Sequence, residues 1–76
     1  MKLGYTASVY KNGTKTTLRI EEWPEGFYVF FLRGDETVSY RDELQDTLDI
    51  AMLVGEEDFG IEKSQWVLEE WPHCLR

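Results

Sequence analysis

Acidic and aromatic residues recur together in one short motif that occurs twice in this chain. The order aliphatic, Glu, Glu, Trp, Pro is found at residues 20–24 and again at residues 68–72. The residues of the two copies that could contact a partner are Glu21, Glu22, Trp23, Glu69, Glu70 and Trp71. A surface Trp rimmed by carboxylates suits the binding of a basic protein surface, because Trp is enriched at interface centres. The alternative interpretation places both indoles in the core or at a sheet edge, with the glutamates as solvated neighbours.

A second acidic pattern lies in the middle of the chain. Asp42, Asp46 and Asp49 are spaced i, i+4 and i+7, which would place them on one side of an α-helix. Apolar residues at helical spacing predict such a helix over residues 40–54, ended by Gly55. The three carboxylates would then form a ladder that faces solvent. We expect this ladder either to serve solubility alone or to imitate a nucleic-acid backbone on a basic protein surface.

Groups that catalyse reactions or hold cofactors are not evident in the sequence. It contains no Gly-rich phosphate loop, no nucleophile-elbow serine and no metal-ligand spacing. His73 and Cys74 are adjacent near the C-terminus, without a third group that would orient the histidine and activate the thiol. The acidic run at residues 56–58 lacks the alternating ligands of a calcium loop. The sequence therefore predicts a protein that is not an enzyme and that uses no cofactor or metal.

Length and composition predict one small domain that spans residues 1–76. The hydrophobic fraction of 42% and aromatic fraction of 14% favour a packed globule despite a net charge of −7. A single cysteine excludes an internal disulfide, and no apolar run approaches the length of a membrane span, so we expect a soluble, cytoplasmic protein. Residues 1–20 hold four basic residues and no acid, whereas the rest of the chain holds all 15 acids. This asymmetry indicates either two binding faces or a basic hairpin beside acidic neighbours.

The elements that must position these groups are predicted to be mainly β-strands. An Asn-Gly pair at residues 12–13 predicts a hairpin between a strand at residues 3–11 and a second strand at residues 16–23. Residues 27–32 are apolar on both faces, so this third strand should lie in the middle of the sheet. Residues 61–71 fit either a short helix or a strand, and their strand-forming residues favour a fourth strand.

These patterns together predict an α+β fold. We expect an antiparallel sheet of three to four strands, in the chain order strand, strand, strand, helix, strand, with one amphipathic helix packed on one face. One face of the third strand can be covered by that helix. The second apolar face of the same strand is where we first expect an interface.

The excess of acids and the lack of catalytic groups favour a small non-catalytic binding protein that occludes a basic surface on a partner protein. Nucleic-acid mimics, immunity proteins and phage-encoded antagonists are inhibitors with these properties. One alternative is a homodimeric structural or adaptor protein that uses the second apolar face of the third strand. Another is a nucleic-acid-binding module that uses the basic hairpin around Lys11 and Lys15. Direct nucleic-acid binding is disfavoured, because the acids of the remaining chain would repel a duplex.

Overall fold

A computed structural model describes residues 2–72 and residue 75 of the chain. Five strands, one α-helix and one short 3-10 helix follow one another along it. They are β1 (Lys2–Lys11), β2 (Thr14–Trp23), β3 (Gly26–Arg33), β4 (Arg41–Gln45), α1 (Leu48–Phe59), the 3-10 helix (Lys63–Gln65) and β5 (Val67–Trp71). This confirms the predicted α+β class, with one strand more than the upper limit of three to four.

The five strands form one antiparallel sheet in the order β4-β3-β2-β1-β5. Asn12 and Gly13 have φ values of 53° and 77°, so they form the tight turn predicted between β1 and β2. β2 and β5 both pair antiparallel with β1, one on each side, and therefore run in the same direction. Their C-terminal ends, which carry the two motif copies, consequently lie at the same end of the sheet.

The helix predicted over residues 40–54 is wrong in its first half, where the structure has β4. Residues Arg41–Gln45 pair with β3 along its outer edge. Without β4, the backbone N–H and C=O groups along that edge of β3 would lack partners beside buried side chains. Helix propensity differs by only fractions of a kcal/mol per residue, so strand pairing overrides the helical spacing of the apolar residues here.

The capping residues of α1 differ from the predicted ones. Thr47 caps the N-terminus by accepting a hydrogen bond from the backbone N–H of Ile50 at 3.2 Å. Gly55, the predicted stop, lies inside the helix and is buried. Gly60, with a left-handed φ of 71°, follows the last helical residue instead. Among the residues described, no helix combines the length and the apolar character needed to cross a membrane.

The core lies between α1 and one face of the sheet. α1 packs on β2, β3 and β4, and Trp66, just before β5, contacts Gly55 in the middle of α1. Leu3 of β1 and Leu68 of β5 lie on the same face of the sheet but remain half exposed. The buried hydrophobic cluster comprises Ala7, Leu18, Ile20, Val29, Phe31, Ala51, Ile61 and Trp66. The helix thus leaves the start of β1 and the adjoining part of β5 open.

The second face of the sheet, away from α1, is largely closed along β2 and β3. Phe30 and Leu32 of β3 are only 1% and 2% exposed, and Tyr28 stacks on Phe30 with ring centroids 5.8 Å apart. Arg19 and Glu21 of β2 lie on this face and are fully buried. β3 is therefore an interior strand, as predicted, and its second apolar face is already buried at Phe30 and Leu32 within the single chain.

Candidate functional site

The sheet register brings the two motif copies together on either side of β1. Gly4 of β1 lies opposite Glu21 of β2 and also opposite Glu69 of β5. Neighbouring strands are separated by about 4.8 Å, so the backbones of the two copies are about 10 Å apart. The short repeat seen in the sequence is thus one symmetric arrangement around a central strand.

The two copies share the same internal hydrogen bond. Trp23 donates from Nε1 to Glu21 Oε1 at 3.0 Å, and Trp71 donates from Nε1 to Glu69 Oε1 at 2.9 Å. Residues i and i+2 of a strand lie on the same face, which brings each indole beside the first glutamate of its copy. Lys2, on the strand between them, lies with its ammonium group 4.5 Å from the centroid of the Trp23 ring. The first glutamate of each copy therefore fixes the orientation of an indole.

Arg19 contacts residues of β1, β2 and β5 on this face of the sheet. Its Nε donates to Glu21 Oε2 at 3.1 Å, and both side chains are fully buried. Its guanidinium carbon lies 4.4 Å from the Trp71 ring centroid, and the backbone N–H of Leu75 also donates to Glu21 at 3.4 Å. The further acceptors of the guanidinium group are Thr6 Oγ1 at 3.1 Å, Lys2 O at 2.6 Å and Glu69 O at 3.4 Å. Because a buried charge is tolerated only when paired, Glu21 holds the fold together rather than facing a partner.

The second glutamate of each copy has a different environment. Glu22 and Glu70 are exposed and lie on the helix-side face. Leu3, which lies opposite Glu70 on the intervening strand, is 51% exposed. Two carboxylates thus flank a half-exposed apolar side chain. A role of the motif residues in binding a partner stays a prediction.

An open groove with a volume of 620 Å³ lies beside Leu3 on this face. We call it the end groove and define it by Leu3, Tyr5, Phe27, Leu48, Leu68 and Glu22. Its walls are mainly apolar, and the charged residues Glu22 and Lys2 also line it. Such a groove suits an apolar side chain.

Acids predominate at the end of the sheet where β1 begins and where β2, β4 and β5 end, which we call the acidic end. The exposed acids there are Glu22, Glu25, Asp46, Glu69 and Glu70. Lys2, a basic residue at the same end, donates to the backbone carbonyl of Glu22 and lies on the Trp23 ring. Lys11 and Lys15 flank the hairpin at the opposite end, where Asp35 and Glu36 are exposed in the turn after β3. The acids of the chain are therefore not confined to one end of the strands.

The three aspartates predicted to form a helical ladder lie in three different elements. Asp42 is on β4, Asp46 is in the connection after it, and Asp49 is in the first turn of α1. All three are exposed, and Asp49 accepts a hydrogen bond from Lys63 at 3.1 Å. The ladder geometry is wrong because β4 replaces the first half of the predicted helix. A role of these residues in binding stays a prediction.

Metal-binding geometry is not present in the residues that the structure describes, since no group of three or more His, Cys, Asp or Glu side chains could hold an ion. His73 and Cys74, beside which no third catalytic group is evident in the sequence, lie outside the described residues. The expectation that the chain is neither an enzyme nor a cofactor-binding protein stays a prediction.

Sequence reasoning did not identify Gly4 and Arg19 as parts of this arrangement. A Cβ at Gly4 would lie 2.6 Å from the carbonyl oxygen of Ile20 and 2.9 Å from the guanidinium carbon of Arg19. Only glycine leaves room for this contact. A glycine inside a run of strand-forming residues signals a close approach, and that signal could have indicated the site.

The chain matches no protein-family model, and comparisons with curated proteins and with solved structures gave no significant match.

Proposed function

We propose that this chain is a small, acidic, non-catalytic binding protein that occludes a basic surface on a partner protein. The observation that carries the proposal is the register that places both Glu-Glu-Trp copies at one end of the sheet, beside the open end groove. Glu22 and Glu70 supply exposed carboxylates there, and Leu3 and Leu68 supply exposed apolar surface.

The apolar part of this surface can contribute affinity. Leu3 and Leu68 are each 51% exposed and lie on the same face of neighbouring strands. Covering the exposed half of such a side chain contributes about 1 kcal/mol, from the usual free energy per buried apolar area. Tyr5 and Phe27, partly buried in the end groove, would lose further exposed area to an inserted side chain. A partner that inserts an apolar residue here therefore gains binding energy without any rearrangement of the sheet.

The charged part supports a basic partner. Glu22 and Glu70 lie on the two strands that flank Leu3, and the other exposed acids of the acidic end lie at the same end of the sheet. Complementary charge speeds encounter and fixes orientation, whereas the apolar contacts slow release. The same negative potential disfavours a nucleic acid as the direct ligand.

Occlusion is the mechanism that follows from this surface. A partner that uses a basic surface to bind nucleic acid or another anion would have that surface covered by carboxylates and apolar groups. The chain would then act as an inhibitor, a class that includes nucleic-acid mimics, immunity proteins and phage-encoded antagonists. Occlusion requires no catalytic groups, and this agrees with the small size of the fold.

Affinity capture from extract of its native cells tests the proposal. Wild-type chain should retain basic proteins at low salt and release them at high salt, because ionic screening weakens the contact. The variant Glu22→Lys/Glu70→Lys should lose them. The matched variant Glu56→Lys/Glu57→Lys changes net charge equally but lies at the last turns of α1, where lysine is favourable, and should behave as wild type.

Circular dichroism of all three proteins confirms that each is folded before capture is compared. Retained proteins that are not basic, or that resist high salt, would contradict the proposal. Equal capture by both double variants would also contradict it, since charge at the acidic end would then have no particular role.

A further inference from the structure

We infer that the partner supplies an extended segment that adds to the sheet as a sixth strand along β5, with two consecutive basic residues opposite Glu69 and Glu70. This inference rests on the proposed function and specifies how the basic partner is held. The segment that would occupy the edge of β5 is a pair of basic residues flanked by apolar residues, in extended conformation.

The outer edge of β5 is open to such a strand. β5 is the last strand of the sheet and pairs with β1 alone. Within the described part of the chain, the N–H and C=O groups on its outer side therefore have no strand partner. Val67 and Leu68, on opposite faces of β5, are 59% and 51% exposed. An exposed edge with apolar side chains on both faces is the usual template for strand addition.

The other edge of the sheet lacks these properties. Arg41 of β4 forms ion pairs with Glu43 on the same strand and with Asp58 of α1, the second at 3.3 Å. The hydrogen bond that Arg41 donates to the Glu43 carboxylate raises the pKa of Arg41 above its ordinary value. Charges of both signs along a short edge oppose pairing with another strand. β5 carries no basic residue, so its edge selects by charge rather than excluding every strand.

A second copy of this chain is a poor occupant of the same edge. Two β5 strands paired with each other would bring four carboxylates, Glu69 and Glu70 of each copy, onto neighbouring strands. Like charges opposite each other destabilise strand pairs, and each chain carries a net charge of −7. A strand with basic residues at these positions gains from the same carboxylates. Charge complementarity therefore favours a basic partner segment over self-pairing.

The alternation of β5 defines the pattern that the segment should have. Glu69 lies on the second face beside Trp71, and Glu70 lies on the helix-side face with Leu68. Residues directly opposite on a neighbouring strand share the same face. Two consecutive basic residues therefore meet one carboxylate on each face, and apolar residues on either side meet Leu68 and Trp71.

A capped peptide with a central Lys-Arg pair flanked by valines, titrated into the full chain, tests this mode of binding. Two N-methylated versions of it carry methyl groups on alternate residues, one set at the even and the other at the odd positions. Alternate N–H groups of a strand face opposite edges, so only one of the two versions blocks hydrogen bonds to β5. We expect that version to bind at least about tenfold more weakly than the unmodified peptide, and the other to bind about equally.

Two further measurements locate the peptide on β5. Hydrogen exchange of the β5 amides should slow when the unmodified peptide is added, because strand addition engages them. The variant Glu70→Lys should weaken binding by about tenfold or more, whereas Glu57→Lys, exposed on α1, should not change it.

The outcomes separate this inference from the proposed function. If both methylated peptides bind like the unmodified one while Glu70→Lys weakens binding, charge attracts the peptide but strand addition is wrong, and the proposed function stands. If both methylated peptides fail to bind, or if the unmodified peptide does not bind at all, strand addition is overturned, and the capture experiment alone decides the proposed function.

Discussion

Gly4 lies beneath the guanidinium group of Arg19, which occupies the space that a side chain at position 4 would fill. A Cβ at Gly4 would lie 2.9 Å from Arg19 Cζ. The absence of that Cβ lets Arg19 reach across β1, where it donates to the carbonyl oxygens of Lys2 at 2.6 Å and of Glu69 at 3.4 Å. One buried charge on β2 thereby contacts β1 and, beyond it, β5, which carries the second motif copy.

The variant Gly4→Ala should destabilise the chain for this reason. The new methyl group would lie 2.6 Å from the backbone oxygen of Ile20, which cannot move without shifting β2. We expect a loss of about 1–3 kcal/mol in the free energy of unfolding, the usual cost of overpacking, measured by urea denaturation. Leu3→Ala at the half-exposed neighbouring position serves as the control and should cost less than about 1 kcal/mol. A Gly4→Ala protein as stable as wild type would show that the contact is not tight.

The buried ion pair between Arg19 and Glu21 leads to a second prediction. Glu21→Ala leaves the guanidinium group buried without its carboxylate and removes one acceptor of the Trp23 indole N–H. Removal of one partner of a buried pair typically costs about 3–5 kcal/mol in unfolding free energy. We expect a loss of that order in urea denaturation.

The double variant Arg19→Met/Glu21→Leu tests whether the loss of stability in Glu21→Ala comes from the unpaired buried charge or from lost packing. Replacing both charges with apolar groups of similar size removes the unpaired charge, so this variant should be more stable than Glu21→Ala. If the double variant is the less stable of the two, the pair stabilises the fold beyond the penalty of an unpaired charge. That result would contradict the expectation that the unpaired guanidinium causes most of the loss in Glu21→Ala.

Much of the sheet could be predicted from local sequence signals, because local physics determines those parts. The Asn-Gly turn, the alternating pattern of β2 and the two-sided apolar pattern of β3 each depend on the conformation of adjacent residues. β5 also followed from the strand-forming residues Trp66 and Val67, although it begins at Val67 rather than at residue 61 and the 3-10 helix replaces the first part of the predicted strand. β1, β2 and β3 are correct in type and close in their bounds, whereas β5 is correct in type alone.

β4 and the site could not be predicted in the same way, because both depend on contacts distant in sequence. Residues Arg41–Gln45 have helical spacing but pair with β3. The first glutamates of the two motif copies have the same alternating pattern as solvated residues, and only the ion pair with Arg19 explains why Glu21 is buried. The repeat itself indicated the site, but the register around β1 was needed to bring its copies together.

Gly55 shows how contacts between residues distant in sequence decide whether a substitution stabilises or destabilises the protein. Alanine is favoured over glycine in a helix interior by about 1 kcal/mol, so helix propensity alone predicts that Gly55→Ala stabilises α1. A Cβ at this position would lie 2.8 Å from Trp66 Cζ2 and 3.5 Å from Leu18 Cδ2. We expect overpacking to dominate, with a net loss of about 1–2 kcal/mol in unfolding free energy by urea denaturation.

The Trp66→Leu background supplies the control for Gly55→Ala. Removal of the indole opens the space that the new methyl group needs, so in this background Gly55→Ala should be neutral or stabilising. A Gly55→Ala protein more stable than wild type, with Trp66 in place, would mean that the indole moves aside at little cost.

The acids of β5 lead to the last prediction, which concerns self-association. Val67 and Leu68 make β5 an exposed edge, and the carboxylates of Glu69 and Glu70 oppose its pairing with a second copy. The variant Glu69→Gln/Glu70→Gln removes both charges but keeps an oxygen that can accept the indole N–H of Trp71. We expect its self-association constant to exceed that of wild type by about tenfold or more, since the repulsion between facing carboxylates is lost.

Sedimentation velocity over a concentration series measures the difference in self-association. The control variant Glu56→Gln/Glu57→Gln has the same net charge but is altered on α1, and it should sediment as wild type. If both double variants associate equally, overall charge rather than the edge of β5 keeps the copies apart.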